Sequence, residues 1–125
     1  MATTELIDLA VKTSENAYVP YSHFPIVAVL VTDDEKIYTG VNIENASFGL
    51  TNCGERTAIF NAVSEGERSF KELIIYGQTE KPVSPCGACR HVMAEFFEPD
   101  LPVTLVAKDK STVVMTVKEL LPYSF

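Results

Sequence analysis

Basic residues are scarce in this chain. Lys and Arg total 10 against 17 Asp and Glu, for a net charge of -7. No basic run interrupts that balance, so a nucleic-acid partner would lack the counterion release that drives its binding. Cysteine is also sparse, and the count of three is odd, which argues against a disulfide framework. No apolar run approaches the roughly 18 residues that span a bilayer. The start, Met1-Ala2-Thr3-Thr4-Glu5, has neither the basic flank nor the apolar stretch of a signal peptide. The expected location is the cytoplasm. There is no internal repeat, linker or low-complexity stretch.

What is present suits one globular domain over 1–125. Apolar residues make up 46% of the 125, in short periodic runs, and a core of this size forms without covalent staples. Residues 4–18 read as a helix on Leu6, Ile7, Leu9, Ala10 and Ala17, capped by Thr3 or Thr4 and limited by Pro20. Residues 25–32 are apolar and largely β-branched, as in a strand buried on both faces. Asp33-Asp34-Glu35 turns the chain into a second strand, Lys36 to Asn42, completing a hairpin. A polar loop follows over 42–50. A helix runs from about 53 to 65, a strand over 72–76, and another helix from Ser84 as cap and Pro85 as first position to about Phe97. Strands at 102–107 and 112–117 and a turn at Leu120-Leu121-Pro122 close the chain. The order α-β-β-α-β-α-β-β predicts an α/β sandwich with a mixed sheet.

Chemistry concentrates in Asn52-Cys53-Gly54-Glu55-Arg56 and Pro85-Cys86-Gly87-Ala88-Cys89-Arg90, which hold every cysteine of the chain. Cys86 and Cys89, three apart at a helix start, present both sulfurs to one side. Cys53 begins another helix, and helix N-termini stabilise thiolates. Three thiolates bind one Zn²⁺ and leave its fourth tetrahedral position to water. Glu55 is placed to move that water's protons. Arg56 and Arg90 offset the surplus negative charge by donating to sulfur.

Each residue also has a plainer reading. A lone Cys-x-x-Cys is as often a buried apolar pair or a redox pair. Asn52 and Glu55 have the spacing of a capping box, and an isolated arginine is usually a solvated charge. It is the combination that favours a metal. A fourth protein ligand would have to be His23 or His91. His91 should point away from Cys89, while His23, in a loop, stays open.

With these residues the chain resembles the zinc-dependent nucleobase deaminases, whose pattern is His/Cys-x-Glu followed by Pro-Cys-x-x-Cys. More closely it is similar to the small homotetrameric cytidine deaminases of the three-cysteine type. The likeness spans nearly the whole chain, through Pro20-Tyr21-Ser22-His23-Phe24, Asn42-Ile43-Glu44-Asn45-Ala46-Ser47, Cys53-Gly54-Glu55-Arg56-Thr57-Ala58, the Pro85 to Arg90 stretch and Glu119-Leu120-Leu121-Pro122.

The resemblance implies a three-layer α-β-α fold with a five-stranded mixed sheet. It implies one Zn²⁺ per subunit on Cys53, Cys86 and Cys89, with Glu55 carrying a proton from water to ring nitrogen N3 and then helping to protonate the departing amine. Cytidine and deoxycytidine would become uridine and deoxyuridine with release of ammonia, in pyrimidine nucleoside salvage. Asn42 and Glu44 would hold the ribose 3′-hydroxyl, Phe24 would pack near the base, and the Gly54 N–H would meet the pyrimidine carbonyl. Phe48 and Phe125 would complete a neighbouring subunit's site in a homotetramer.

Three positions depart from the family's habit. Val27 stands where glycine is usual, adding bulk expected beside the site or the interface. Gly54 stands where alanine is common, and Phe48 where tyrosine is common, which predicts an altered pocket. Competing functions are a deaminase of nucleic acid or of a nucleoside antibiotic, and a zinc-stabilised binding module without catalysis. The acidic charge argues against nucleic acid, and the Asn42/Glu44 loop favours a free nucleoside.

Overall fold

The computed structural model describes residues 3–123. Its five-stranded sheet has the order β2-β1-β3-β4-β5, with β1 at Ile26–Thr32, β2 at Ile37–Val41, β3 at Phe70–Gly77, β4 at Pro102–Val106 and β5 at Thr112–Thr116. Helices α1 (Thr4–Thr13), α2 (Gly54–Ser64) and α3 (Gly87–Phe96) cover it, and a short α4 (Val117–Leu120) follows β5. This is the expected α-β-α sandwich with a mixed sheet.

The topology decides where a site forms. β1 pairs antiparallel with β2 on one side and with β3 on the other. β2 and β3 therefore run the same way, and β4 runs parallel to β3. The crossovers β2-α2-β3 and β3-α3-β4 both leave the sheet at one end. Helices α2 and α3 share a face, built on Ile26, Ala28, Leu30, Ala58, Ile59, Cys89 and Met93. Their N-termini consequently meet beyond the carboxyl ends of β2 and β3, where ligands bind in α/β sheets.

α1 lies on the opposite face. Thr3 caps it, its hydroxyl accepting from the Leu6 N–H at 3.2 Å, and Ile7 and Ala10 pack on Val27, Val29, Ile74, Tyr76 and Val106. The helix stops at Thr13, earlier than the apolar pattern suggests, and one 3-10 turn over Ser14–Asn16 follows. The Ser14 hydroxyl donates back to the Val11 carbonyl at 2.6 Å and tightens that end.

Val27 requires a correction. Strand residues alternate between faces, and Val27 belongs to the α1 cluster with no exposed surface. Its bulk fills the core on the far side of the sheet from the thiols.

Gly40 explains how α2 comes so close. A Cβ there would lie 2.2 Å from the Ala58 nitrogen and 2.6 Å from the Gly54 carbonyl oxygen. The helix backbone rests directly on β2, and a side chain at 40 would lift it off. No helix among the described residues is long and apolar enough to cross a membrane.

Candidate active site

Cys53 and Cys86 are the N-cap residues of α2 and α3. Ser84 and Pro85 do not begin α3 as their types suggest. The Cys86 sulfur takes the capping role, accepting from the Cys89 N–H at 3.4 Å. Ser84 is turned instead toward the Arg90 guanidinium, which donates to its hydroxyl. Cys89 sits one turn into α3 and is fully buried.

The three sulfurs lie within 4.8 Å of one another, and no histidine joins them among the described residues. Cys53 and Cys86 Sγ are 3.6 Å apart, Cys86 and Cys89 Sγ 3.0 Å. Three sulfurs at tetrahedral corners about 2.3 Å from Zn²⁺ would be roughly 3.8 Å apart. The cluster fits that ion after a small outward shift, and its thiolate donors suit it chemically. The Cys89 thiol, donating to Cys53, is the largest influence lowering the Cys53 pKa; with Arg56 it outweighs burial and brings the thiol to about 5. Arg56 Nη2 donates to the Cys53 sulfur at 3.2 Å.

Glu55 lies in the first turn of α2, only 4% exposed. Its Oε1 is buried without a hydrogen-bond partner. The capping-box reading fails: the Asn52 N–H donates to the Ile43 carbonyl at 3.0 Å, and the Asn52 side chain donates to the Thr57 hydroxyl at 3.1 Å. Burial above all, with the nearby Cys53 thiolate adding to it, raises the Glu55 pKa. A buried carboxyl disposed to hold a proton is what a general acid–base group requires.

Glu55, Cys53, Cys86 and Gly54 line one cavity of about 190 Å³, together with Asn42, Ile26 and Val83. A second hollow of about 340 Å³ adjoins it through Thr51 and is lined by Tyr21, Ser22, Glu44 and Phe48.

Asn42 and Glu44 are heavily engaged with the Tyr21–Phe24 segment and β1. Asn42 Oδ1 accepts from the Ile26 N–H at 2.9 Å and its Nδ2 donates to the Phe24 carbonyl at 2.8 Å. Glu44 Oε1 accepts from the N–H groups of Tyr21 and Ser22 at 3.0 and 3.1 Å, and Oε2 accepts from the Ser22 hydroxyl. That hydroxyl, chiefly, lowers the Glu44 pKa. These bonds place the Asn42 side chain at the first cavity and the Glu44 side chain at the second hollow, and leave spare hydrogen-bonding capacity on each. Phe24 is 40% exposed and Phe48 75%, with Phe48 packed edge-on against Tyr21 at a centroid distance of 6.2 Å.

Arg90 does not donate to a sulfur. Its three nitrogens go to Pro85 O, Leu120 O and the Ser84 hydroxyl. Phe125 lies outside the described residues. Sequence reasoning missed Ser22 and Tyr21 as individual contributors; a serine two residues before Phe24 signals only the local turn, in which its hydroxyl accepts from the Phe24 N–H at 3.1 Å, and the contact with Glu44 is 22 residues distant.

Fold and cluster together define a class: a zinc centre of the deaminase type on an α-β-α sandwich. The family model for the cytidine and deoxycytidylate deaminase zinc-binding region matches residues 2–104. The chain belongs to this family, and zinc is its cofactor. It is 51% identical to a cytidine deaminase of Sporosarcina psychrophila, over all of this chain and 92% of that one. A probable cytidine deaminase of Dictyostelium discoideum is 47% identical, covering 95% of this chain and 80% of the relative. The crystal structure of cytidine deaminase from Burkholderia pseudomallei superimposes with a TM-score of 0.96 at 45% identity, covering 100% of both chains.

Proposed function

We propose that this chain hydrolyses the exocyclic amine of cytidine and deoxycytidine, giving uridine and deoxyuridine with release of ammonia. The observation that carries this is the unpartnered, buried Glu55 oxygen in the cavity that also holds Cys53 and Cys86. Full-length similarity to cytidine deaminases supports the same substrate.

Zinc held by Cys53, Cys86 and Cys89 supplies Lewis acidity that makes water nucleophilic near neutral pH. The protein's own groups do the rest. Glu55 takes one proton from the attacking water and passes it to N3 of the ring, which avoids a high-energy ring anion; it then takes the proton of the hydroxyl newly bonded to C4 and passes it to the departing amine, which leaves as ammonia. Arg56 draws electron density from the Cys53 sulfur. The Gly54 N–H, at the start of α2 where helix N–H groups lack internal partners, donates to the pyrimidine carbonyl. Asn42 and Glu44 receive the sugar, with Phe24 beside the base. Phe48 and Phe125 extend to a neighbouring subunit's site in a homotetramer, consistent with the 75% exposure of Phe48. The whole chain, 1–125, acts as one deaminase domain, in the cytoplasm, in pyrimidine nucleoside salvage.

The family description embraces both a nucleoside and a nucleotide, and the outer hollow favours the nucleoside. Glu44 is the one charged side chain among the residues lining it, and a carboxylate there repels a 5′-phosphate.

The decisive experiment is Glu55→Gln. It should keep zinc and a native melting transition while deamination of cytidine falls at least ~100-fold, the scale of general acid–base catalysis. Full activity in that variant overturns the mechanism. Efficient turnover of deoxycytidine 5′-monophosphate by the wild type overturns the nucleoside assignment.

A further inference from the structure

We infer that Arg90 is a positioning residue that clamps the metal-ligand loop to α4, so that the C-terminal helix governs how firmly the metal is retained. Residues 82–86 belong to neither helix nor strand, yet they must place the Cys86 sulfur. Pro85, buried and directly before Cys86, has no N–H, so its carbonyl is its one backbone polar group. Arg90 Nε donates to that carbonyl at 2.9 Å. Nη2 donates to the Ser84 hydroxyl. The same guanidinium therefore grips the two residues that lead into Cys86.

Its third contact reaches across the molecule. Nη1 donates to the carbonyl of Leu120 at 2.8 Å, the last residue of α4, where helix carbonyls lack internal partners. α4 is a firm anchor despite its length. Thr116 and Glu119 close a reciprocal capping box at its start. The N–H of Lys118 donates to Pro99 O at 2.9 Å, and Val117 and Leu120 are buried in the core. Three acceptors in three directions suit the planar fork of arginine, and a lysine ammonium does not reproduce it. Arg90 thus acts on the metal through the loop's backbone, whereas Arg56 acts on a sulfur directly.

This role rests on zinc being held by Cys53, Cys86 and Cys89. The test is the rate of zinc release from the intact holoenzyme into excess chromophoric chelator, with metal content and melting temperature measured on the same samples. Arg90→Ala should release zinc ~10-fold faster, the usual scale for groups that orient metal ligands, and Arg90→Lys should not restore the wild-type rate. Glu119→Ala, which breaks the capping box at an exposed position, should accelerate release in the wild-type background and add nothing in Arg90→Ala, because both act through one linkage.

Release from Arg90→Ala within about twofold of wild type, a difference small beside the usual effect, overturns the role. So does equal acceleration by Glu119→Ala in both backgrounds, or full rescue by lysine. Should Arg90→Ala fail to fold, Ser84→Ala removes one acceptor at an exposed site: faster release supports the clamp, and an unchanged rate overturns it. A wild-type protein that binds no zinc overturns the metal assignment itself, a result distinct from all of these.

Discussion

Gly54 begins α2 so close to β1 that a Cβ on it would lie 2.8 Å from the Ile26 carbonyl oxygen. The neighbour is backbone, not a flexible side chain, and Gly40 O stands 3.3 Å away on another side. Alanine does not fit this position without moving the helix start. Gly54→Ala should therefore destabilise the protein by about 1–3 kcal/mol, the range for overpacking. Because Cys53 and Glu55 flank it, the shift should also lower kcat/KM. Thermal melting and steady-state kinetics on one preparation check both. Unchanged stability would mean that β1 yields easily at Ile26.

Val27 gives the opposite expectation. It is fully buried among α1 residues and Val29, Ile74 and Tyr76. Val27→Ala should cost roughly 1.5–3 kcal/mol through lost burial and the cavity left behind. Catalysis at a temperature where the protein stays folded should change by less than about twofold, since the lost contacts touch neither ground nor transition state. A large KM change with little loss of stability would contradict the placement of this side chain.

Ser22 ties Glu44 to the Tyr21–Phe24 segment, and pH reads that tie. The Glu44 pKa is lowered when folded, first by the Ser22 hydroxyl. Its contribution is thus fully present above the unfolded carboxylate pKa and is lost as pH falls through the lower folded value. KM for cytidine should rise on the acid side as Glu44 takes a proton. Ser22→Ala should move that rise to higher pH, because the carboxylate loses its strongest donor. KM–pH profiles of the two proteins, taken where each stays folded, decide the point; coincident profiles would reject the link.

Much of the centre was legible because its signals are local. Cys-x-x-Cys and Cys-x-Glu at helix starts fix sulfurs and carboxylate through the helix repeat alone. Cap assignment was less legible: Ser84-Pro85 has the better local propensity, but Arg90 draws the Ser84 hydroxyl away and Cys86 becomes the cap. Arg90 was misjudged because its acceptors are backbone and hydroxyl oxygens, one of which, Leu120 O, is 30 residues distant. Val27 shows a third kind of limit. A strand buried on both faces gives no polar alternation, so its pattern cannot tell which parity faces α1 and which faces α2 and α3.

Because β2 and β3 share a direction on either side of β1, the ligands come from two separate crossovers, and Cys53 and Cys86 stand 33 positions apart in sequence. An ion held by both acts as a removable staple. Treated as a cross-link closing a loop of that length, it restricts the unfolded chain by about 4 kcal/mol. The catalytic metal is then also a keystone. A chelator would loosen the sandwich as well as silence it, and β1 must be paired with both β2 and β3 for the staple to close.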